Sequence, residues 1–203
     1  MEKRSGSQQC GQGNSDITGC RIGIYPMSDD FVEIILSAIA TVDASRVWSS
    51  TDALGTLYRG QQEDVMHTAK ALICAAYRKD THMTASMTFS KGCPGDVEAD
   101  YLAGIKPLTQ YPALENEDER CEATISFYTF GHADYMDHIY HVIDLCKAMG
   151  VYSAKSHYST ILSGTIKEVF AAYNAIMTYA DENLNHYVIE TVLSLNSPSK
   201  GAN

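Results

Sequence analysis

The stretch 47-VWSSTDALGTLYRG-60 begins as a strand, turns polar, and closes on Arg59 and Gly60. A second stretch, 151-VYSAKSHYSTILSG-164, has the same form 104 positions later. Sliding the chain by that offset aligns residues 31–94 with 135–198 without a gap, and thirteen of the 64 positions are identical. Roughly four would be expected by chance from such a composition. The identities include Ile35/Ile139, Ile39/Ile143, Val47/Val151, Thr56/Thr160, Gly60/Gly164 and His82/His186. A one-residue adjustment carries the match back to Ile22, Ile24 and Tyr25, paired with Ile125, Phe127 and Tyr128. A period this long marks a two-unit duplication, not a solenoid.

Each unit reads as β-α-β-β-α-β. In the first, "RIGIYPM" is a short strand. "DDFVEIILSAIATV" is a helix whose apolar residues Phe31, Ile34, Ile35, Ala38 and Ile39 share one face. "RVWSSTD" and "GTLYRG" form a hairpin. "QEDVMHTAKALICAAYR" is a second amphipathic helix, with acids in its first turn and Arg78 in its last. "HMTASMTFS" is a fourth strand. The second unit repeats this order from "ATISFYTF" to "HYVIETVLSLNS". The fold class is therefore α+β, a tandem ferredoxin-like repeat of antiparallel sheets with helices on one face. The expected division is a polar tail (1–19), a first unit (20–94), a linker rich in proline and acid (95–120) and a second unit (121–199).

The chain has 203 residues, with 45% hydrophobic and 20% charged residues and a net charge of −10. No basic cluster exists, so nucleic-acid binding is not expected. The six cysteines form no C-x-x-C pair, which removes zinc-ribbon and redox motifs. The first 19 residues are polar and glycine-rich, without an apolar segment. A cytoplasmic protein with reduced thiols, not embedded in a membrane, is expected.

A ferredoxin-like sheet leaves one face uncovered. Alternation in 82–90 turns Met83, Ala85, Met87 and Phe89 toward the helices, and His82, Thr84, Ser86, Thr88 and Ser90 away. Reading Leu57 and Ile161 as inward puts Thr56 and Thr160 on the open face. The first unit then gathers Tyr25, Trp48, Asp52, Thr56, His82 and Ser86 there. The second offers Ser126, Tyr128, Thr160, His186 and Glu190, with Ser156 in place of Asp52. Small hydroxyls, aromatics and one carboxylate per face suit a pocket for a polar aromatic ligand. A solvated or packed face is the plain alternative.

Other chemistry finds less support. His138 and His141 are spaced i, i+3 beside His132, Asp134 and Asp137, a spacing that suits zinc. Unit one has Ile34 and Ser37 there, and a polar helix face is the preferred reading, with no metal expected. No nucleophile elbow, glycine-rich phosphate loop or Walker motif occurs. Cys93 in "KGCPGD" becomes Ser197 in the second unit, which speaks against a thiol nucleophile. No catalytic residue is assigned.

"IYPMSDDF", "VWSSTDALGTLYRG", "FSKGCPGD", "DYMDHIY", "HYSTILSG" and "NSPSK" together resemble the YkoF family of thiamin/hydroxymethylpyrimidine-binding proteins, over about residues 18 to 199. The resemblance implies a homodimer that binds thiamin or its pyrimidine precursor without catalysis and serves thiamin-precursor uptake or salvage, with transport components as partners. It implies no cofactor apart from the ligand. It carries ligand contact to Thr51, Asp52, Thr56 and His82, and to Ser126, His157, Thr160 and His186. One departure is "FYTF", which holds Thr129 where the first unit's "IYPM" has proline. A thiazolium cation would find an acid in Asp52 and aromatic faces beside it. The alternatives are an ACT-like module binding a small effector and, below it, an enzyme of thiamin metabolism.

Overall fold

The computed structural model describes residues 17–91, 100–102 and 104–199. Most of the polar tail, Cys93 and Pro94 of the "KGCPGD" turn, the first linker residues and Lys200 lie outside the described residues. The first repeat comprises β1 (Thr18–Pro26), α1 (Phe31–Thr41), β2 (Trp48–Asp52), β3 (Gly55–Gly60), α2 (Gln62–Ala76) and β4 (Met83–Lys91). The second comprises β5 (Arg120–Thr129), α3 (Tyr135–Ala148), β6 (Tyr152–Ser156), β7 (Ser159–Thr165), α4 (Ile166–Asn183) and β8 (Tyr187–Leu195). This is the βαββαβ order read from the duplication. Arg78 lies past the end of α2 rather than in its last turn, donating back to the carbonyls of Ala75 and Tyr77.

The two repeat sheets merge into one eight-stranded antiparallel sheet, ordered β2-β3-β1-β4-β8-β5-β7-β6. The join is the β4–β8 ladder, running from Met83 opposite Leu195 to Lys91 opposite Tyr187. Its centre sets Met87 opposite Thr191, its own counterpart 104 residues on. A pseudo-twofold axis therefore passes through this pair. Buried Tyr173 of α4 sits over the axis, its phenol 2.6 Å from the Thr191 hydroxyl. The helices join the repeats as well, for Gln62 of α2 donates to Asn174 and Thr178 of α4.

Directly opposed residues share a face of a sheet. One face carries Cys20, Ile22, Met83, Ala85, Met87, Phe89, Ile125, Ile189 and Leu193, all buried against the helices. Burial of these apolar side chains is the main force holding the layers together. The other face carries Arg21, Thr88, Glu190 and Ser126, opposed in that order across four strands.

The linker crosses both layers. Leu102 packs with Ile17 against Trp48 and Ile105. Farther on, Tyr111 donates to buried Asp64 at 2.7 Å and stacks on His67. Arg46 donates to the same carboxylate at 2.6 Å. Glu117 accepts from Lys70 of α2 at 2.7 Å and lies 3.5 Å from Lys167 of α4. Burial alone would raise the Glu117 carboxyl, but the two ammonium groups outweigh it and hold it below the usual glutamate range. The described part of the linker is thus pinned by ion pairs that need few apolar residues.

Candidate functional site

The β1–β3 ladder stops where Ile22 faces Thr56, but β1 goes on pairing with β4 as far as Pro26 opposite Met83. Residues 23–26 therefore have no strand partner on their β3 side. The β2–β3 hairpin ends at this point, because β3 begins at Gly55, and a cavity of about 370 Å³ opens between the free edge, the hairpin tip and α1. Gly23, Ile24, Tyr25 and Pro26 supply its edge, Thr51–Thr56 its hairpin wall, and Phe31, Ile35 and Ile39 of α1 its apolar wall. The volume is that of a small-molecule site, and backbone groups of an unpaired strand edge are polar groups that need partners.

Register corrects one sequence expectation. Thr56 faces Ile22 and Thr160 faces Ile125, so both threonines lie on the helix side, and Leu57 and Ile161 on the open side. The apolar character of Leu57 and Ile161 suggested the reverse; strand pairing sets the parity instead. Thr56 is buried and its hydroxyl lies 3.0 Å from that of Thr51, also on the helix side. The cavity is therefore not on the open face.

Asp52 borders the cavity, and its carboxylate already has partners. Both oxygens accept from Arg21 Nη2, at 2.7 and 2.8 Å, and Oδ1 accepts from the amides of Leu54 and Gly55. The Arg21 bond, followed by the Leu54 amide, holds this carboxyl below the usual aspartate range. Asp52 thus shapes the hairpin tip. Gly55 completes the turn with φ +154°, where an added Cβ would collide with the Ile22 carbonyl.

The second repeat echoes the geometry. The β5–β7 ladder stops at Ile125 opposite Thr160, whereas β5–β8 runs on to Thr129 opposite Tyr187. In the first repeat an added Cβ on Gly23 would stand 3.3 Å from the Leu54 carbonyl oxygen. In the second, Ser126 takes that place and donates to the Tyr158 carbonyl at 3.1 Å. Lys155 stands opposite Thr160 as Thr51 stands opposite Thr56. Ser156, His157 and Tyr158 form the exposed hairpin tip. Thr129, the counterpart of Pro26, holds a buried hydroxyl with no hydrogen-bond partner among the described residues.

The remaining expected site residues lie on the open face or at strand ends, and of these Tyr25 also reaches the cavity edge. Tyr25 is half exposed, its phenol 3.3 Å from Ser86 on the open face; Tyr128 is likewise half exposed. Glu190 is exposed on that face between Thr88 and Ser126. His82 Nε2 lies 3.1 Å from the Ser194 hydroxyl, and the His82 carbonyl accepts from Met27. The His186 carbonyl accepts from Phe130 in the same way, and its buried ring stacks on Phe130 at 4.7 Å. Burial lowers the pKa of this imidazole. The structure thus brings Tyr25, Thr51, Asp52 and Thr56 to the cavity wall, and neither His82 nor Ser86 is part of that wall.

Sequence reading missed the α1 wall. The sequence puts Phe31, Ile34, Ile35, Ala38 and Ile39 on one face, but only Ile34 and Ala38 are buried. The helix carries two apolar stripes, and the i, i+4, i+8 stripe faces the cavity. The recurrence of Ile35 and Ile39 as Ile139 and Ile143 was the available signal.

The YKOF-related family model matches residues 17–96 and again residues 120–200. A curated relative from Bacillus subtilis (strain 168), named "Putative HMP/thiamine-binding protein YkoF", is 35% identical over 189 residues, which cover 93% of this chain and 94% of the relative. Two matches of one family model, one per structural repeat, and a relative aligned over almost its whole length place this chain in the YkoF-related family.

Proposed function

We propose that the chain binds thiamin or its hydroxymethylpyrimidine precursor without catalysing a reaction, with one site per repeat. The cavity between α1 and the free edge of β1 carries this reading. Its polar groups are an unpaired strand edge and two adjacent hydroxyls, its walls are apolar, and Phe31 and Tyr25 stand half exposed at its rim. An aminopyrimidine is a flat ring with one donor group and ring-nitrogen acceptors, which a strand edge and threonine hydroxyls match. A thiazolium extending toward the rim would meet aromatic faces there. Asp52 then acts through the hairpin tip it holds, and its charge is shared with Arg21.

The second site differs in kind. Lys155 replaces Thr51, and Thr129 brings a hydroxyl where Pro26 has none. The cation of Lys155 disfavours a thiazolium, so this repeat is the weaker thiamin site. The protein works as a homodimer and hands the vitamin precursor to or from transport components; the half-exposed Tyr25, Tyr128 and Val192 on the open face support a protein contact there.

Calorimetric titration with thiamin, free hydroxymethylpyrimidine and thiamin phosphate tests this reading. Saturable binding of the free pyrimidine and of thiamin is the expected result. No heat with any of the three compounds would contradict it.

A further inference from the structure

The β5–α3 turn carries a second cluster that the vitamin site does not use. His132 follows Gly131, Asp134 precedes the first turn of α3, and His138 stands one turn farther along the helix. One ligating atom from each lies within 4.8 Å of the others. His132 Nδ1 is 3.8 Å from one Asp134 oxygen, and His138 Nε2 is 3.7 Å from the other. Ligands of a tetrahedral zinc, with bonds of about 2.0–2.1 Å, stand about 3.3 Å apart. Small side-chain rotations bridge that difference.

The hydrogen bonding of His138 supplies an independent observation. Its Nε2 is buried, points toward Asp134, and has no hydrogen-bond partner among the described residues. Its Nδ1 lies 2.8 Å from the Tyr179 hydroxyl on α4. With the proton on Nδ1 and donated to Tyr179, Nε2 presents its lone pair to the cluster. Metal-bound histidines are oriented in this way by a partner on the second nitrogen. Tyr179 is itself held by the ring of His141, stacked at 3.9 Å. His141, the i+3 neighbour favoured by sequence spacing, thus steadies Tyr179, and the third ligand comes from His132 in the preceding turn.

We propose that His132, Asp134 and His138 form a binding site for a late first-row divalent cation such as zinc. Two imidazoles and one carboxylate suit zinc, cobalt or nickel better than calcium or magnesium. The site is specific to the second repeat, since the positions of His132 and His138 are Ser28 and Ile34 in the first. His132 and Asp134 remain partly exposed, which leaves the solvent side for a water ligand.

The test uses the full chain, stripped with a chelator and titrated with zinc chloride by calorimetry and with cobalt(II) by visible absorption. One equivalent of zinc should bind, and cobalt should give the intense visible bands of a tetrahedral site. His132→Ala and Asp134→Asn, both at partly exposed positions, should weaken zinc binding at least tenfold while circular dichroism stays unchanged. Tyr179→Phe should weaken it by about 10- to 100-fold, as loss of an orienting partner does. His157→Ala, in the β6–β7 hairpin, should leave zinc binding unchanged. Equal zinc binding by the wild type and a His132→Ala/Asp134→Asn double variant, or no binding by either, would overturn the proposal.

Discussion

On the proposed reading, Asp52 acts on ligand binding through the hairpin tip it anchors. It lies beside the cavity with its carboxylate engaged by Arg21 and by two hairpin amides. Asp52→Ala should therefore lower the unfolding temperature slightly and also weaken thiamin binding, because the hairpin tip loses its anchor. Arg21→Ala should reproduce the loss of stability. A calorimetric scan and a titration of each variant check this; unchanged stability in Asp52→Ala would place the carboxylate's role on the ligand instead. The buried histidines make a second prediction. Burial lowers the pKa of His186, and burial followed by the Lys70 charge lowers that of His67. The unfolded chain then binds more protons than the native one just below pH 6.5, the ordinary imidazole value. Their contribution to stability is present above that value and is lost as the pH falls through the lowered folded values. Equilibrium urea unfolding between pH 7.5 and about 5 should show the decline, and His186→Gln should flatten part of it.

Among the elements, the hairpin and α1 mark what the sequence disclosed and what it did not. Helices, strands and their order were legible because the duplication supplied two readings of each element. The faces of β4 were legible because Met83, Ala85, Met87 and Phe89 alternate cleanly with hydroxyl residues, and all four are buried. The face of β3 was not, because Thr56 is polar and buried whereas Leu57 is apolar and only half-buried. Burial there follows from pairing with Ile22, a long-range relation that local pattern does not contain. Nor does local pattern tell where a ladder stops, and the cavity exists because the β1–β3 ladder stops early. Gly55→Ala should disturb that stop: its Cβ would press on the Ile22 carbonyl, displace the hairpin tip and weaken thiamin binding in the first repeat by tenfold or more. Binding in the second repeat should be unaffected, which a two-site titration checks.

At the scale of the molecule, the repeats share a sheet, a helix–helix contact and a pinned linker, so they should unfold together. Scanning calorimetry should give one transition with equal calorimetric and van't Hoff enthalpies. Thr191→Val at the pseudo-twofold axis removes the partner of the buried Tyr173 phenol. An unsatisfied buried hydroxyl costs about 1–3 kcal/mol, which lowers the melting temperature by roughly 2–12 °C in a chain of this size. The same symmetry sets up the functional comparison, because the second repeat holds different side chains at the positions that line the first cavity. Filling the first position alone isolates it. Ile35→Trp places an indole in the α1 wall, at a half-buried site on the edge of the main core. Titration of this variant with thiamin, beside the wild type and with its melting temperature recorded, is the most direct measurement. The expected result is loss of the tighter binding event with the weaker event and the melting temperature retained. A wild-type isotherm from the folded variant would contradict binding in this cavity.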